Sequence, residues 1–385
     1  MKIIHFITDD KFLNDAIELF EEIDELDNRF VYVSFDDHPF AFLQYDKVER
    51  IDVSQVPSLI TDKTADIIVL HNIYSLPSRY IKEIDKRMKV VWLSWGFDIY
   101  SNRYPQTKLI DLDKRIKPKT ISPRYRLWLM KKEWRPFLRK LLKRKEAARQ
   151  DFINAVSRVD YFSGVFPTEY DMVKQQPFFL AKQILFNYNT KKGVFTESGI
   201  NRDLHPIGNT IQVGNSANKL GNHRNTFWRL RHVELGKRKV FTPLSYGGDP
   251  LYVSTVCKMG KRMFGDNFVP LIDFMPYDEY TKMTKSVSVA IHNIIQQAAV
   301  GNILLNLWNG AKVFLPEESI GYQYFKSLGF RIFSIERELN QENIDTRLDD
   351  KDIIDNRTLI IRYYSFDAIK EKVRNSFMQI QTDMN

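Results

Sequence analysis

Two groups of residues in this chain have the types and spacing to do chemistry. In the first group, acids and a histidine each stand directly after an apolar run: Asp9 and Asp10 after KIIHFIT, His71 after IIVL, and Asp98 after VVWLSW-Gly96-Phe97. A carboxylate or imidazole there can take the proton of a hydroxyl nucleophile. Asp98 is the leading candidate for that base, with Asp10, Asp9 and His71 competing, although an aspartate in such a turn can also serve only as its cap. The second group is almost uncharged. It comprises Gly214, Asn215 and Ser216, then His223, then Tyr246 and Gly247, and finally His292, Asn293, Gln296, Gln297, Gly301 and Asn302. Glycines and small polar residues after a strand present backbone N–H groups, and a helix N-terminus suits a phosphate. Gly301 has no side chain to keep a ligand from the helix backbone. These turns lack G-x-G-x-x-G and the P-loop lysine, so an ordinary strand-turn-helix unit with amide caps reads the same residues without a ligand. Asp111-Leu112-Asp113 is a D-x-D triplet in a loop, a pattern short enough to arise by chance, and no metal site is expected.

The elements that position these residues follow from periodicity. The stretch from Val289 to Pro316 reads strand, polar turn, helix, turn, strand, with Val300, Ile303, Leu304, Leu307 and Trp308 on one helical face and Asn309-Gly310 at its end. The N-terminal half alternates strands at Lys2–Thr8, Phe30–Phe35, Ile67–Leu70, Val90–Trp95 and Val159–Phe162 with helices, the first predicted over Phe12–Leu26. The C-terminal half repeats the pattern with strands at Thr210–Val213, Lys239–Leu244, Asn267–Ile272, Ala311–Leu315 and Arg331–Ile335, and ends in a helix over Ile353–Met378. Unbroken apolar strands alternating with helices predict doubly wound parallel sheets, with ligands at the strands' carboxyl ends.

Length and charge narrow the class. At 385 residues the chain suits two domains. Its single cysteine, Cys257, cannot form an internal disulfide, which points to a reducing compartment. The N-terminal apolar run is too short for a signal peptide, and no window approaches the roughly 18 apolar residues of a membrane span. The net charge of +9 is concentrated: Lys114 to Arg149 holds 15 Lys and Arg against Glu133 and Glu146, a net +13, which leaves −4 for the rest. Within it, Lys131 to Val156 reads as a long helix, kinked or restarted at Pro136. There Trp134, Phe137, Leu138, Leu141 and Leu142 share a face, beside Arg139, Lys140, Lys143, Arg144 and Lys145. A solvated face, nucleic acid and an anionic membrane surface are the competing partners. The shared apolar face favours the membrane, and no nucleic-acid module is recognised.

Two doubly wound domains with a C-terminal helix long enough to cross back describe the GT-B architecture, which binds a nucleotide sugar on the second domain and an acceptor on the first. The expected division is 1-205, 206-352 and 353-385. A periplasmic-binding-protein layout and a nucleotide-sugar 2-epimerase fit the same pattern, and so does a binding protein without catalysis.

Three stretches carry a resemblance: Val213-Gly214-Asn215-Ser216-Ala217 followed by Asn222-His223, Trp95-Gly96-Phe97-Asp98-Ile99-Tyr100, and His292-Asn293 with Gln296-Gln297 and Gly301-Asn302-Ile303. They resemble the dTDP-N-acetylfucosamine:lipid II N-acetylfucosaminyltransferases, the 4-acetamido-4,6-dideoxygalactose transferases of enterobacterial common antigen. The resemblance implies a dTDP-sugar donor, a polyprenyl-diphosphate-linked saccharide acceptor, no metal or cofactor, and a cytoplasmic protein peripheral on the inner face of the bacterial cell membrane. It implies Gly214, Asn215, Ser216, His292, Gln296, Gln297, Gly301 and Asn302 on the donor side, and Gly96 and Asp98, beside Trp95, on the acceptor side. The chain departs at Phe97, where a second glycine (W-G-G-D) is expected, implying a differently shaped acceptor pocket.

Overall fold

A computed structural model describes residues 1–10, 12–34, 38–62, 64–100, 109–110, 127, 144–186 and 191–384. They form two compact units. The first takes the residues up to 110, those from 144 to 194 and the C-terminal stretch from Tyr364; the second is Phe195–Tyr363.

The first unit is built on β1 (Lys2–Ile7), β2 (Asp27–Ser34), β3 (Glu49–Asp52), β4 (Ile67–Leu70), β5 (Lys89–Leu93), β6 (Tyr161–Ser163) and β7 (Lys182–Gln183). The order is β3-β2-β1-β4-β5-β6-β7, with parallel pairing throughout. β1 and β4 are buried along nearly their whole length, as strands covered on both faces must be. The sheet winds outward from β1 to β3, then crosses back to β4 and winds the other way. Its switch point therefore lies between β1 and β4. The edge strands β3 and β7 escape sequence reading because they are short and mostly exposed, with no apolar run. The first helix runs over Leu13–Glu21 and ends five residues before the sequence expectation. Asn28 explains the stop: its Nδ2 donates to Phe20 O at 3.0 Å, satisfying a terminal carbonyl as the chain turns into β2.

The second unit is built on β8 (Thr210–Val213), β9 (Val240–Pro243), β10 (Phe268–Leu271), β11 (Val287–Ile291), β12 (Lys312–Leu315) and β13 (Phe333–Ser334), ordered β10-β9-β8-β11-β12-β13 and again parallel. Its switch point lies between β8 and β11. Val213, Phe227, Val256, Val289, Ile291 and Phe314 belong to its core. The helix Val300–Trp308 buries Val300, Ile303, Leu304 and Leu307, as its spacing predicts. It gives way to Gly310, at φ +79°, where a Cβ would stand 2.1 Å from Leu204 O. Arg357, nearly fully buried, donates to the carbonyls of Trp308, Gly199, Ile200, Arg202 and Asp203, tying the segment that enters this unit to the helix near its end.

The single C-terminal helix expected from the sequence is two helices, Asp350–Tyr364 and Phe366–Met384. Ser365 makes the break: its Oγ accepts from Ala368 N at 3.2 Å and caps the second helix. Ile353 lies in the second unit's core. Phe366, Ile369, Val373, Phe377 and Ile380 bury one face in the first unit's core, where Phe377 meets Phe20 edge to face. The chain thus returns to its first unit. Of the expected basic helix, Arg144–Arg158 is observed. Trp134, Phe137, Arg139, Lys140 and Lys143 lie outside the described residues, and so do the side chains of Arg144 and Lys145.

Candidate functional site

The polar residues singled out in the C-terminal half assemble at the carboxyl edge of the second sheet, around its switch point. β8 ends at Val213 and the chain turns at Gly214, whose φ of +71° only glycine adopts without cost. Glycine is also required sterically, since a Cβ there would lie 2.6 Å from His223 Nε2. Ser216 follows, nearly buried, with Gly247 stacked against it from the β9 turn. Tyr246 locks the two turns together: its carbonyl accepts from Ala217 N at 2.7 Å, and its hydroxyl accepts from Asn215 Nδ2 at 3.2 Å.

His223 opens the helix His223–Leu230 and is fully buried. Burial pulls its pKa down to about 4, so the ring is neutral near pH 7. Nδ1 pairs with Tyr252 Oη at 3.0 Å, while Nε2 is buried without a hydrogen-bond partner among the described residues. With Tyr252 donating to Nδ1, Nε2 carries the proton and points it at the Gly214 turn.

On the β11 side, His292 and Asn293 are buried to about 1% exposure, and burial holds His292 down to about 4 as well. Asn293 is pinned from the β8 side: Asn222 Nδ2 donates to its carbonyl at 2.8 Å, and its own Nδ2 donates to Asn225 Oδ1 and Thr226 Oγ1. His292 Nδ1, Asn293 Oδ1 and Gln296 Oε1 are buried with no partner among the described residues. Gln297 and Asn302 are half-buried and Gly301 is exposed at the helix start. The helix Val300–Trp308 begins after Ala299 at φ +62° and carries no side-chain cap. Its first-turn N–H groups therefore face outward at the positive end of the helix dipole. Of the non-glycine residues at positive φ, Asn72, Asn222 and Ala299 all sit at carboxyl-edge turns, where strain of order 1–3 kcal/mol per residue is characteristic of functional loops. The arrangement offers backbone and amide N–H donors to an anion.

Sequence reasoning missed three members of this cluster. Gln212 is fully buried inside β8, Tyr280 lies on the helix Tyr277–Thr284, and Asn306 is buried one turn below Asn302. Gln212 Nε2 donates to Gly214 O at 3.0 Å and lies 3.4 Å from Tyr280 Oη, and its Oε1 accepts from Asn306 Nδ2 at 3.4 Å. Tyr280 Oη donates to Asn302 Oδ1. The one available signal was the glutamine itself, a polar residue in an otherwise apolar buried strand.

The first sheet's carboxyl edge holds the other candidates, Asp98 and His71 among them. Asp98 is fully buried. Its Oδ1 accepts from Ser94 Oγ at 2.7 Å and Trp95 N at 3.1 Å, its Oδ2 from Trp92 Nε1 at 2.7 Å and Ile73 N at 3.2 Å. A carboxylate so saturated braces the turns after β4 and β5 and has no lone pair directed at solvent. His71 is also fully buried: its Nε2 meets His5 Nδ1 at 2.9 Å, and His5 Nε2 meets Asn28 Oδ1 at 2.9 Å. Burial lowers both histidines, His5 to about 3. Asp9 accepts from the backbone N–H groups of Ala41, Phe42 and Leu43, so it holds the loop beyond β2. Asp10 is half-buried, and its Oδ1 accepts from Phe12 N at 3.3 Å. Gly96 turns at φ +82°, Trp95 meets Phe12 edge to face, and Phe97, half-exposed, stacks with Tyr74. Among the described residues no group of three or more His, Cys, Asp or Glu could hold a metal ion, and no helix is long and apolar enough to cross a membrane.

No protein-family model matches this chain, and no curated protein matches it by sequence. Its fold does match solved structures. HepE of Anabaena in complex with UDP aligns over 98% of this chain and 99% of its own, at 10% identity and a TM-score of 0.64. Sucrose-phosphate synthase of Thermosynechococcus elongatus aligns over 100% of both, at 9% identity and 0.63. The lipopolysaccharide outer core galactosyltransferase WaaB, in its apo form, aligns over 99% and 100%, at 8% identity and 0.59. The chain has the GT-B fold: two parallel α/β sheets and a C-terminal helix.

Proposed function

We propose that the protein is a glycosyltransferase that takes its sugar from a nucleotide-sugar donor. The observation that carries this reading is the switch-point cluster of the second sheet. There the Gly214 turn, the uncapped start of the helix Val300–Trp308 and the inward-facing Nε2 of His223 gather N–H donors suited to a diphosphate. HepE, of the same fold, has been solved with UDP, with UDP and glucose, and with UDP-glucose. The reaction breaks the anomeric C–O bond, whose electron pair leaves on the nucleoside diphosphate, while an acceptor hydroxyl bonds to the anomeric carbon and gives its proton to a base. Asp10 is that base: it is half-buried after β1, while Asp98 is fully buried and Asp9 is taken up by three backbone N–H groups. The stretches that resemble the N-acetylfucosaminyltransferases support a dTDP-linked amino-deoxy sugar as donor and a polyprenyl-diphosphate-linked saccharide at the inner membrane face as acceptor. The basic segment from Lys114 to Arg149 suits that anionic surface. A donor screen tests the reading: dTDP- and UDP-sugars are incubated with and without acceptor, and nucleoside diphosphate release is measured. Release from a dTDP-sugar that rises with lipid-linked saccharide is expected. No release from any nucleotide sugar, with no thermal protection by dTDP or UDP, refutes it.

A further inference from the structure

We infer that Gln212 is a positioning residue for the diphosphate of the ligand, through two linked hydrogen-bond arms; the assignment rests on the nucleotide reading of the switch-point cluster. The first arm acts on a peptide plane. Gly214 N donates to Ile291 O at 2.9 Å, continuing the β8–β11 ladder, while Gly214 O is drawn inward to Gln212 Nε2 at 3.0 Å. In a trans peptide the carbonyl and the following N–H point in opposite directions. Holding Gly214 O toward the buried Gln212 therefore turns Asn215 N–H away from the core, toward the carboxyl edge. Glycine at φ +71° could place this plane in other orientations, and the bond to Gln212 is the contact made by Gly214 O itself.

The second arm acts on a side-chain amide. Gln212 Nε2 also approaches Tyr280 Oη, whose proton goes to Asn302 Oδ1. An asparagine whose oxygen is held in this way presents its Nδ2 hydrogens on the other side. Asn302 stands in the first turn of the helix Val300–Trp308, so its Nδ2 joins the uncapped backbone N–H groups there. Gln212 is itself fixed against flipping, because Oε1 accepts from Asn306 Nδ2, and Asn306 Nδ2 also lies 3.4 Å from His292 Nε2. One buried glutamine thus sets two N–H donors, from the β8 turn and from the β11 helix. A second, independent observation bears on the same turn. His223 Nε2 is fully buried, has no partner among the described residues, and lies against Gly214 itself.

The ligand class that needs both arms is a nucleoside diphosphate, since its phosphates, and not its nucleoside, would meet these donors. Calorimetric titration of UDP and dTDP against uridine and thymidine tests this on the full chain. Gln212→Leu should weaken the diphosphates by roughly tenfold or more. Tyr280→Phe, a milder change that keeps the ring, should weaken them by roughly fivefold, as loss of one net hydrogen bond implies. Nucleoside binding should stay at the parental value in both variants. Equal losses for nucleoside and diphosphate would make Gln212 merely structural, and unchanged diphosphate affinity in Tyr280→Phe would remove the second arm; either overturns the assignment alone. A parent that binds neither diphosphate overturns the nucleotide reading and this assignment with it.

Discussion

Replacing Glu169 with Gln should make the first unit more stable at alkaline pH and leave it unchanged in acid. Glu169 is fully buried under Gly164, where a Cβ would stand 2.9 Å from Oε2. Its Oε1 accepts from Tyr100 Oη at 2.7 Å and its Oε2 accepts from Phe166 N at 2.9 Å. Burial raises its pKa from 4.5 to about 7, Asp98 adds to the rise, and the hydrogen bonds from Phe166, Tyr100 and Val165 only partly oppose it. A raised folded pKa means that the folded chain keeps a proton the unfolded chain has lost. Stability is then fully present below about pH 4.5, falls as pH rises through about 7, and is level beyond. The span corresponds to about 3 kcal/mol. Glutamine carries no charge to desolvate and stands in for the protonated acid, with Oε1 accepting from Phe166 N and Nε2 donating to Tyr100 Oη once that hydroxyl turns to accept, so it removes the pH-dependent cost. Urea unfolding followed by tryptophan fluorescence should therefore give matching stabilities near pH 4.5 and a gain for Glu169→Gln approaching that value at pH 8. Parallel pH profiles for the two proteins, or a variant weaker by the same amount at both pH values, would refute the reasoning.

Four further outcomes are expected. Gly301→Val places a branched side chain at the exposed start of the helix Val300–Trp308, and should abolish thermal protection by dTDP while the melting temperature without ligand moves little; retained protection would take the ligand away from that helix. Asp98→Asn sets an amide against donors that Asp98 now satisfies, and should cost about 2–4 kcal/mol of stability. Asp10→Asn should instead keep stability and nucleotide affinity while slowing transfer by roughly 10²–10⁴, and parental turnover would exclude Asp10 as the base. Changing Lys143, Arg144 and Lys145 to Gln should weaken binding to anionic vesicles and activity on a lipid-linked acceptor, with activity on a short soluble acceptor spared, since each charge contributes about 1 kcal/mol beside such a surface. Equal losses on both acceptors would assign the cluster to the fold or the site.

The alternation of apolar strands and amphipathic helices was legible because it is local. Unbroken four-residue runs such as IIVL, bounded by polar turns, fit a strand buried on both faces, and Val300, Ile303, Leu304 and Leu307 have one helical face. The polar turns after those strands were legible for the same reason, and within each unit they gather at the carboxyl edge of its sheet. Partnership across the fold was not legible. Asp98 reads as an acid at a strand end, and only packing supplies Trp92, Ser94, Trp95 and Ile73 to saturate it. Gln212 reads as a break in a hydrophobic strand, and only the β8–β11 pairing brings Asn306 and Tyr280 to it. Ser365, one residue in a long helical pattern, sends the last helix back to the first unit because Phe366, Ile369, Val373 and Phe377 find their apolar cover there. Periodicity specifies which face of an element is buried; which residues meet that face is decided by contacts between segments far apart in the chain, and a window along the sequence does not contain them.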